Sequence, residues 1–256
     1  MDPFRFSIFS KVNNERVLSL LSGPAPKRVV DFGCGMGGFF EALDDHFRGE
    51  ARLIGVEIDK RQREFVKNSY PYVEVFETLN LIPDRSIDVV LMIEVIEHLQ
   101  CEAPVLAEFR RILRRDGMLI VSTPNLAGWR TRSALKRAGH TDPGSADYHF
   151  RDGYTRSSLS SVLGSEWFFE HAYQESIGPV TELILELCKM PYVLLQKKHR
   201  VSGRAVMQKV ESASFLFQIY KKLIFPFGVA IGRFENRWIG PGYRGHHIVA
   251  AYSSVQ

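Results

Sequence analysis

The sequence is poor in cysteine and has no long hydrophobic run. Its 256 residues include three cysteines, Cys34, Cys101 and Cys188, an odd and scattered set that argues against a disulfide framework and favours a reducing compartment. The longest apolar run without a charge in the C-terminal part, Leu223 to Gly232, is about half as long as a membrane-spanning helix. Residues 1–3 do not begin a basic stretch leading into an apolar one, which argues against a secretory signal. We therefore expect a cytoplasmic protein without a transmembrane helix.

Repeats and low-complexity tracts are also absent. With 45% apolar and 24% charged residues, the composition is typical of a globular domain and excludes disordered and collagen-like classes. Charge, however, is uneven: residues 179–245 contain 11 Lys and Arg against 4 Asp and Glu, while the whole chain has a net charge of +4. A basic segment of this kind indicates an anionic partner, such as a membrane surface, nucleic acid or a phosphorylated substrate, or else a solvated helical face.

Short β-branched runs alternate with amphipathic helical patterns along most of the chain. Strands are predicted over residues 28–32, 52–58, 73–76, 88–93, 118–122, 167–173 and 246–252. Helices are predicted over residues 14–21, 39–47, 59–68 and 103–113, and after an N-cap at Thr155. Strands separated by helices favour an α/β fold with a doubly wound, mostly parallel sheet.

The last two predicted strands are separated by about 70 residues, where a hairpin would suffice. Two apolar stripes of helical spacing occur there, and the second should end at Pro226 because proline breaks a helix. The stripes contain Leu183, Ile184, Leu187 and Met190, and then Phe215, Leu216, Ile219, Tyr220, Leu223 and Ile224. We predict a core of residues 1–178, an inserted amphipathic helical cap of residues 179–244, and a last core strand within residues 245–256.

A glycine-rich turn follows the first predicted strand. The segment Val29 to Gly38 places Asp31 two residues before Gly33, and Gly35 follows in a Gly-x-Gly-x-Gly spacing. A dinucleotide site has a different spacing, Gly-x-Gly-x-x-Gly. The Asp31 carboxylate would repel a pyrophosphate but attract an ammonium group or a water network around it.

An acidic residue ends the second predicted strand. Glu57 lies 24 residues beyond Gly33, where a carboxylate can accept hydrogen bonds from both hydroxyls of a ribose. Ile58 would lie against the base, and Glu77 or Thr78 at the end of the third strand would reach its polar edge. The ligand therefore contains a nucleoside.

A third cluster, Ser86 to Leu99 with the segment Leu113 to Asn125, completes a family pattern. Across residues 25–175 the chain resembles the class I S-adenosylmethionine-dependent methyltransferases. The resemblance implies a Rossmann-like seven-stranded sheet that binds S-adenosylmethionine at its carboxyl edge. The residues it assigns to the cofactor are Asp31, Gly33, Cys34, Gly35, Glu57, Ile58, Glu77, Thr78, Ile93 and Glu94.

Within that class, the Glu94-Val-Ile-Glu97-His98 motif is similar to that of the O-methyltransferases of ubiquinone biosynthesis and of many bacterial enzymes acting on lipids, sugars and glycans. Small-RNA 3′-end 2′-O-methyltransferases also carry it. In the metal-using groups the two glutamates and the histidine bind a divalent cation such as Mg²⁺. On a nascent helix these three side chains would face one point.

The chain departs from the RNA enzymes at their second metal-binding histidine. His149 is present, but it lies one residue farther from Thr155 than their pattern requires. Two interpretations therefore stay open. Either Glu94, Glu97 and His98 hold a metal ion, or Glu94 shapes the donor pocket, Glu97 is exposed, and His98 contacts substrate or packs beneath the loop.

Methyl transfer from a sulfonium needs acceptor, methyl and sulfur in line, and a hydroxyl acceptor must also lose a proton. We expect His98 to be the general base, with His149 or a metal ion as the alternatives. Cys34 is a small filler, since this reaction needs no nucleophilic thiol.

The sequence supports three hypotheses about function. The first is O-methylation of a small lipophilic, quinone-like, glycan or lipid-linked acceptor, with the cap touching an anionic membrane through aromatic residues and lysines. The second is an RNA 2′-O-methyltransferase, and the third binds the cofactor without catalysis. Nucleic acid is the less favoured partner, because phosphate binding needs no apolar stripes. The cap helices would otherwise pack on their own domain or on a second copy in a homodimer. The aromatic residues are Phe215, Phe217, Phe225 and Phe227, and the phosphate-binding candidates are Arg130, Arg132, Lys136 and Arg137.

Overall fold

The computed structural model describes residues 7–21, 26–128, 149–164, 167–185, 187, 218, 220–238 and 245–254. Within these ranges a seven-stranded sheet has the order β3-β2-β1-β4-β5-β7-β6. Its strands are β1 (Arg28–Phe32), β2 (Arg52–Val56), β3 (Glu74–Phe76), β4 (Ile87–Ile93), β5 (Leu113–Pro124), β6 (Phe168–Ser176) and β7 (His247–Ser254). β7 runs antiparallel to both its neighbours, and the other adjacent strands pair in parallel. The predicted doubly wound, mostly parallel sheet is confirmed.

Helices connect the strands and end at residues that local chemistry selects. They are α1 (Ile8–Leu20), α2 (Phe40–Phe47), α3 (Lys60–Ser69), α4 (Ala103–Ile112), α5 (Arg156–Leu163) and α6 (Phe225–Trp238). Further helical residues cover 179–185. Side chains of Ser7, Asp59 and Thr155 accept hydrogen bonds from backbone N–H groups at the starts of α1, α3 and α5. Such caps satisfy donors that have no partner inside the helix. The Ser7 cap explains why α1 begins earlier than predicted.

The sheet is buried on both faces, because successive residues of its central strands point to opposite sides. In β1, Val29 belongs to the apolar cluster on the side of α2 and α3. Its neighbour Val30 belongs to the cluster on the side of α4 and α5. Phe40 and Phe109 are fully buried against the two faces. This two-sided core holds the strand ends, and the loops that follow them, in fixed positions.

A smaller apolar cluster joins the two ends of the chain. Ile8 and Val12 of α1 pack with Ile177 and with Val229 of α6. The sequence predicted that the helix would end at Pro226, but it does not. A π-helical turn over Tyr220–Ile224 precedes α6, and α6 continues to Trp238. The proline therefore falls in the first turn of α6, where a backbone N–H has no helical partner to lose.

The inserted segment contains helices, as the sequence predicts, although its borders at 178/179 and 244/245 stay a prediction. No helix in the described ranges is long and apolar enough to cross a membrane. Several predicted features lie outside those ranges: Met190, the stripe residues Phe215, Leu216 and Ile219, Phe217, and the basic residues Arg130, Arg132, Lys136 and Arg137.

Candidate active site

The glycine turn lies where the sheet reverses its strand order, between β1 and β4. Ligands of open α/β sheets bind at such a point, outside the carboxyl ends of the strands. Gly33, Gly35 and Gly37 all have positive φ, at 74°, 55° and 77°, a region in which side chains are strained. A Cβ on Gly33 would also lie 2.6 Å from Val95 Cγ2. Glycine at position 33 therefore lets the turn pass close to the loop after β4.

Glu57 anchors this turn to the end of β2. Its Oε2 accepts a hydrogen bond from the Gly35 N–H at 2.9 Å, and its Oε1 accepts one from the Asp59 N–H at 2.8 Å. The side chain is buried. A carboxylate oxygen has two acceptor positions, so each oxygen can still bind one ribose hydroxyl. The residue predicted to bind the ribose thus also shapes the turn.

Asp31 lies at the end of β1, buried, with its charge close to that of Glu57. Burial, and secondarily Glu57, raise the pKa of Asp31 from 3.8 to about 7. A carboxyl group in this state stores an unfavourable interaction that a cation would relieve. The arrangement fits the ammonium group of the donor.

The rim of the site is formed by the residues that follow β2 and β3. Ile58 is 84% exposed, so its side chain is accessible to the base that it is expected to contact. Arg63 donates through Nη1 to the backbone oxygens of Glu57 and Ile58, at 2.8 and 2.6 Å, and through Nη2 to Glu77 Oε2 at 2.9 Å. Glu77 is therefore ion-paired, and Arg63 fixes the two strand ends relative to each other. Thr78, the other residue expected at the edge of the base, is exposed.

Cys34 points away from the rim and into the domain. Its Sγ would lie 2.8 Å from a Cβ on Gly55, so the thiol fills the space that this glycine leaves. Burial, then the charges of Asp31 and Glu57, raise the pKa of Cys34. A thiol held neutral in this way is a poor nucleophile, in keeping with the expected filler role.

On the other side of the switch point, Glu94 follows β4 with a positive φ of 56°, uncommon for a residue with a side chain. Ile93, just before it, is half-buried at the strand end. Glu94 Oε1 accepts a hydrogen bond from Ser122 Oγ at 2.7 Å, and Oε2 lies 2.9 Å from His247 Nε2. Burial raises the pKa of Glu94, but His247 and Ser122 more than reverse this, so the pKa lies below its ordinary value. Glu94 is therefore held as a carboxylate.

The expected metal site is not assembled. Since Glu94 lies before the short 3₁₀ helix Ile96–His98, in the left-handed conformation, it does not share a helical face with Glu97 and His98. In the part of the chain that the structure describes, no group of three or more His, Cys, Asp or Glu side chains is placed to hold a metal ion. The geometry of the described residues gives this expectation no support, and metal binding by Glu94, Glu97 and His98 stays a prediction.

Glu97 corrects the other interpretation as well, because it is buried and not exposed. Its Oε2 accepts a hydrogen bond from Thr123 Oγ1 at 3.1 Å. Burial and the nearby Glu94 raise its pKa well above the ordinary value. Glu97 thus joins the loop after β4 to Thr123 of β5 from a buried position.

The two histidines proposed for catalysis do meet. The rings of His98 and His149 lie edge to face with their centroids 4.3 Å apart. His98 follows β4 directly and His149 begins the segment that leads to α5. Each histidine was identified from its motif, but their contact could not be predicted because they lie far apart in the sequence.

Sequence reasoning missed a buried polar chain that starts on α1. Asn13 Nδ2 donates to Ser122 Oγ at 2.8 Å. Ser122 donates in turn to Glu94, whose other carboxylate oxygen contacts His247. His247 Nδ1 lies 2.9 Å from His246 Nδ1, and the Phe9 ring packs on His247. The His246-His247 doublet was the available signal, since polar residues at the start of a buried strand need partners.

Similar proteins agree with this geometry. Residues 30–121 match a family model described as a methyltransferase domain. A protein of Mycolicibacterium smegmatis, named as a probable S-adenosylmethionine-dependent methyltransferase, is 38% identical over 105 residues, which cover 40% of this chain and 39% of that protein. The chain thus spans under two fifths of the length of the curated relatives it matches.

Solved structures show the same fold at low identity. An S-adenosylmethionine-dependent methyltransferase from Archaeoglobus fulgidus is similar with a TM-score of 0.56 and 16% identity, over 96% of this chain and 93% of that one. A TehB-like S-adenosylmethionine-dependent methyltransferase from Corynebacterium glutamicum gives a TM-score of 0.51 and 13% identity, over 94% and 87%. Residues 30–121 therefore match a methyltransferase domain, and the fold around them is similar to that of solved S-adenosylmethionine-dependent methyltransferases.

Proposed function

We propose that the whole protein is a methyltransferase that transfers the methyl group of S-adenosylmethionine to an oxygen of a small lipophilic, quinone-like, glycan or lipid-linked acceptor. The observation that carries the donor half is the grouping of Asp31, Glu57 and Ile58 at the switch point. Their order along the edge suits the ammonium, the ribose and the base of one extended ligand.

Each residue has a separate task in this proposal. Asp31 pairs with the donor's ammonium group, and Gly33 and Gly35 let the backbone approach it. Glu57 accepts the ribose hydroxyls, and Ile58 packs on the base. Glu77 and Thr78 face the polar edge of the base, while Ile93 and Glu94 border the end that carries the methyl group.

The bound donor supplies an activated methyl group on a sulfonium. The protein holds the acceptor oxygen in line with the methyl carbon and sulfur, which is worth up to about 7 to 11 kcal/mol of the barrier. As the O–C bond forms and the C–S bond breaks, the acceptor hydroxyl loses its proton. His98 takes it, and the edge-to-face contact with His149 keeps the His98 ring oriented.

The metal-dependent RNA alternative has no supporting geometry among the described residues, and Glu94 is already engaged by Ser122 and His247. The lipophilic acceptor has two supporting features, the aromatic and the basic character of the inserted segment. The proposal accordingly includes an anionic membrane surface as the place where the acceptor is met.

The test is to incubate the purified protein with methyl-labelled donor and a complete lysate, with and without a chelator. The label is then divided among organic solvent, nuclease-sensitive polymer and small aqueous products. Label in the organic phase, insensitive to chelation, is expected. Label in the nuclease-sensitive fraction that is lost on chelation would overturn the proposal in favour of the RNA alternative.

Glu57→Ala should strongly reduce the labelling at donor concentrations below the donor's dissociation constant, since it removes the ribose contact. Glu64→Ala is the matched control, because Glu64 is an exposed glutamate on the neighbouring α3 and its ion pair with Lys60 is at the surface. Equal labelling by both variants would show that Glu57 does not bind the donor.

A further inference from the structure

One face of helix α6 packs on α1, and the opposite face is turned outward. Its inner face packs on α1 through small residues. A Cβ on Gly228 would lie 2.5 Å from Ile8 Cδ1, and one on Gly232 would lie 2.6 Å from Val12 Cγ2. This close approach fixes the rotation of α6 about its axis. The opposite face is consequently held outward.

The outer face of α6 consists of Phe227, Ala230, Phe234 and Trp238, which recur at helical spacings of three, four and four residues. The three aromatic side chains are 66%, 62% and 74% exposed, in chain order. Leu223 on the preceding π turn extends the apolar surface and is also exposed. The stripe from Phe227 to Trp238 is about 16 Å long at 1.5 Å per residue.

The charges beside this stripe are positive. Lys222 at one end and Arg237 at the other are exposed. Glu235, the acidic residue of the 220–238 segment, is turned inward, where its carboxylate accepts hydrogen bonds from the Val180 and Thr181 N–H groups. Arg233 is paired with Glu15 of α1. The outer face therefore combines aromatic side chains with cations at both ends.

We propose that the outer face of α6 is a docking surface for an anionic lipid bilayer, on which the helix lies parallel to the membrane plane. An apolar helical stripe with aromatic residues and flanking cations enters the boundary between acyl chains and headgroups, and anionic headgroups attract Lys222 and Arg237. Charge complementarity selects an anionic surface over a neutral one. Phe225, expected from the sequence to join this surface, instead packs with the inner apolar cluster.

Helix α1 links α6 to the candidate active site. One side of α1 packs on α6 through Ile8 and Val12, and Asn13 on the next position reaches Ser122 at the carboxyl edge of the sheet. The inference goes beyond the proposed reaction and does not require it, because lipid binding needs no donor.

The test is sedimentation of the full chain with vesicles of phosphatidylcholine, alone or containing about a third phosphatidylglycerol. The wild-type protein should sediment with the anionic vesicles, and less so as salt rises. Phe227→Ser with Phe234→Ser should weaken this binding at least about tenfold, since a buried phenylalanine is worth more than 1.4 kcal/mol. Lys222→Gln with Arg237→Gln should reduce the preference for anionic vesicles.

The matched control is Phe169→Ser with Leu81→Ser, which removes two similarly exposed apolar side chains, 67% and 64%, far from α6 on β6 and after β3. Its vesicle binding should equal that of the wild type. Glu57→Ala should also bind vesicles normally, so that loss of methyl transfer and loss of membrane binding are separate results.

Three outcomes would overturn the proposal. The wild-type chain could fail to sediment with anionic vesicles, or the stripe variant could bind as the wild type does. Alternatively, the stripe variant could turn a dimer into a monomer in light scattering without any lipid binding, which would make a second copy the occupant. Equal melting temperatures of the stripe variant and the control variant establish that the loss is not unfolding.

Discussion

The two halves of the site are built by different means. The donor half, after β1 and β2, is held by contacts between residues close in the sequence: Gly35 to Glu57, Glu57 to Asp59, and Arg63 to Glu77. The proposed acceptor half, after β4 and β5, is held by contacts between residues 109 and 153 positions apart in the sequence, Asn13 to Ser122 and Glu94 to His247. The first half combines a glycine turn with side chains from nearby residues, and the second is held by side chains from distant elements.

This difference predicts different consequences of mutation. A change in the donor half should alter ligand affinity, because we propose that its polar groups bind the donor. A change in the acceptor half should alter stability first, because its polar groups satisfy one another across distant elements. The predictions below test that division in descending order of expected effect.

The largest effect is expected from His247→Ala. Glu94 would lose its partner while still held in a mostly buried position, which should lower the free energy of unfolding by roughly 2 to 4 kcal/mol. Denaturant unfolding of the variant measures the change. Donor affinity from calorimetry should stay within a factor of about three, since His247 is not among the donor-binding residues.

His247→Gln is the control for this prediction, because its amide can donate one hydrogen bond to Glu94 in place of the imidazole. It should recover about half of the lost stability. Donor affinity that falls as far as stability in the alanine variant would contradict the division between the two halves.

The predictability of the molecule follows the same division. Local patterns are enough to predict the strands along the chain, because buried strands are encoded by neighbouring residues. The same holds for the expected cofactor residues Asp31, Gly33 and Glu57, which accompany a glycine turn. The partners of Glu94 could not be predicted, since Ser122 and His247 reach it only through tertiary packing. The positive φ of Glu94 could not be predicted either, because nothing in the sequence around this glutamate indicates a left-handed backbone.

The inserted segment shows both outcomes in one helix. Its amphipathic spacing was visible in the sequence, but its end was misplaced because the π turn before Pro226 has no local signature. Which aromatic residue faces outward also depended on packing. Gly228 and Gly232 set the rotation of α6 against α1, which buries the Phe225 side and exposes Phe227.

A medium effect is expected from Glu57→Ala in the donor half. Removing the charge-assisted ribose contacts and the anchor of the glycine turn should weaken donor binding by about 2 kcal/mol, or roughly 30-fold. Calorimetric titration with the donor measures this. Glu64→Ala should bind the donor as the wild type does, and an unchanged affinity in Glu57→Ala would refute the site assignment.

The smallest effect is expected from pH, acting through Asp31. Its pKa of about 7 in the empty site means that the donor's ammonium must displace a proton at lower pH. Donor affinity should therefore rise with pH and level off above pH 7, so that binding at pH 6 is about tenfold weaker than at pH 8. Calorimetry across this range tests the slope, and Asp31→Asn should bind weakly at every pH without the slope.

The same titration has the opposite sign for stability. Because folding raises the pKa of Asp31 from 3.8 to about 7, the folded state binds the extra proton in that window, and stability without donor falls as pH rises through it. Asp31→Asn removes this loss and should stabilise the empty protein at pH 8 by roughly 1 to 4 kcal/mol while weakening donor binding. A variant that is less stable than the wild type at pH 8 would show that Asp31 supports the fold and is not held strained for the donor. Gained stability with lost affinity would place the strain in the donor half, where the ligand relieves it.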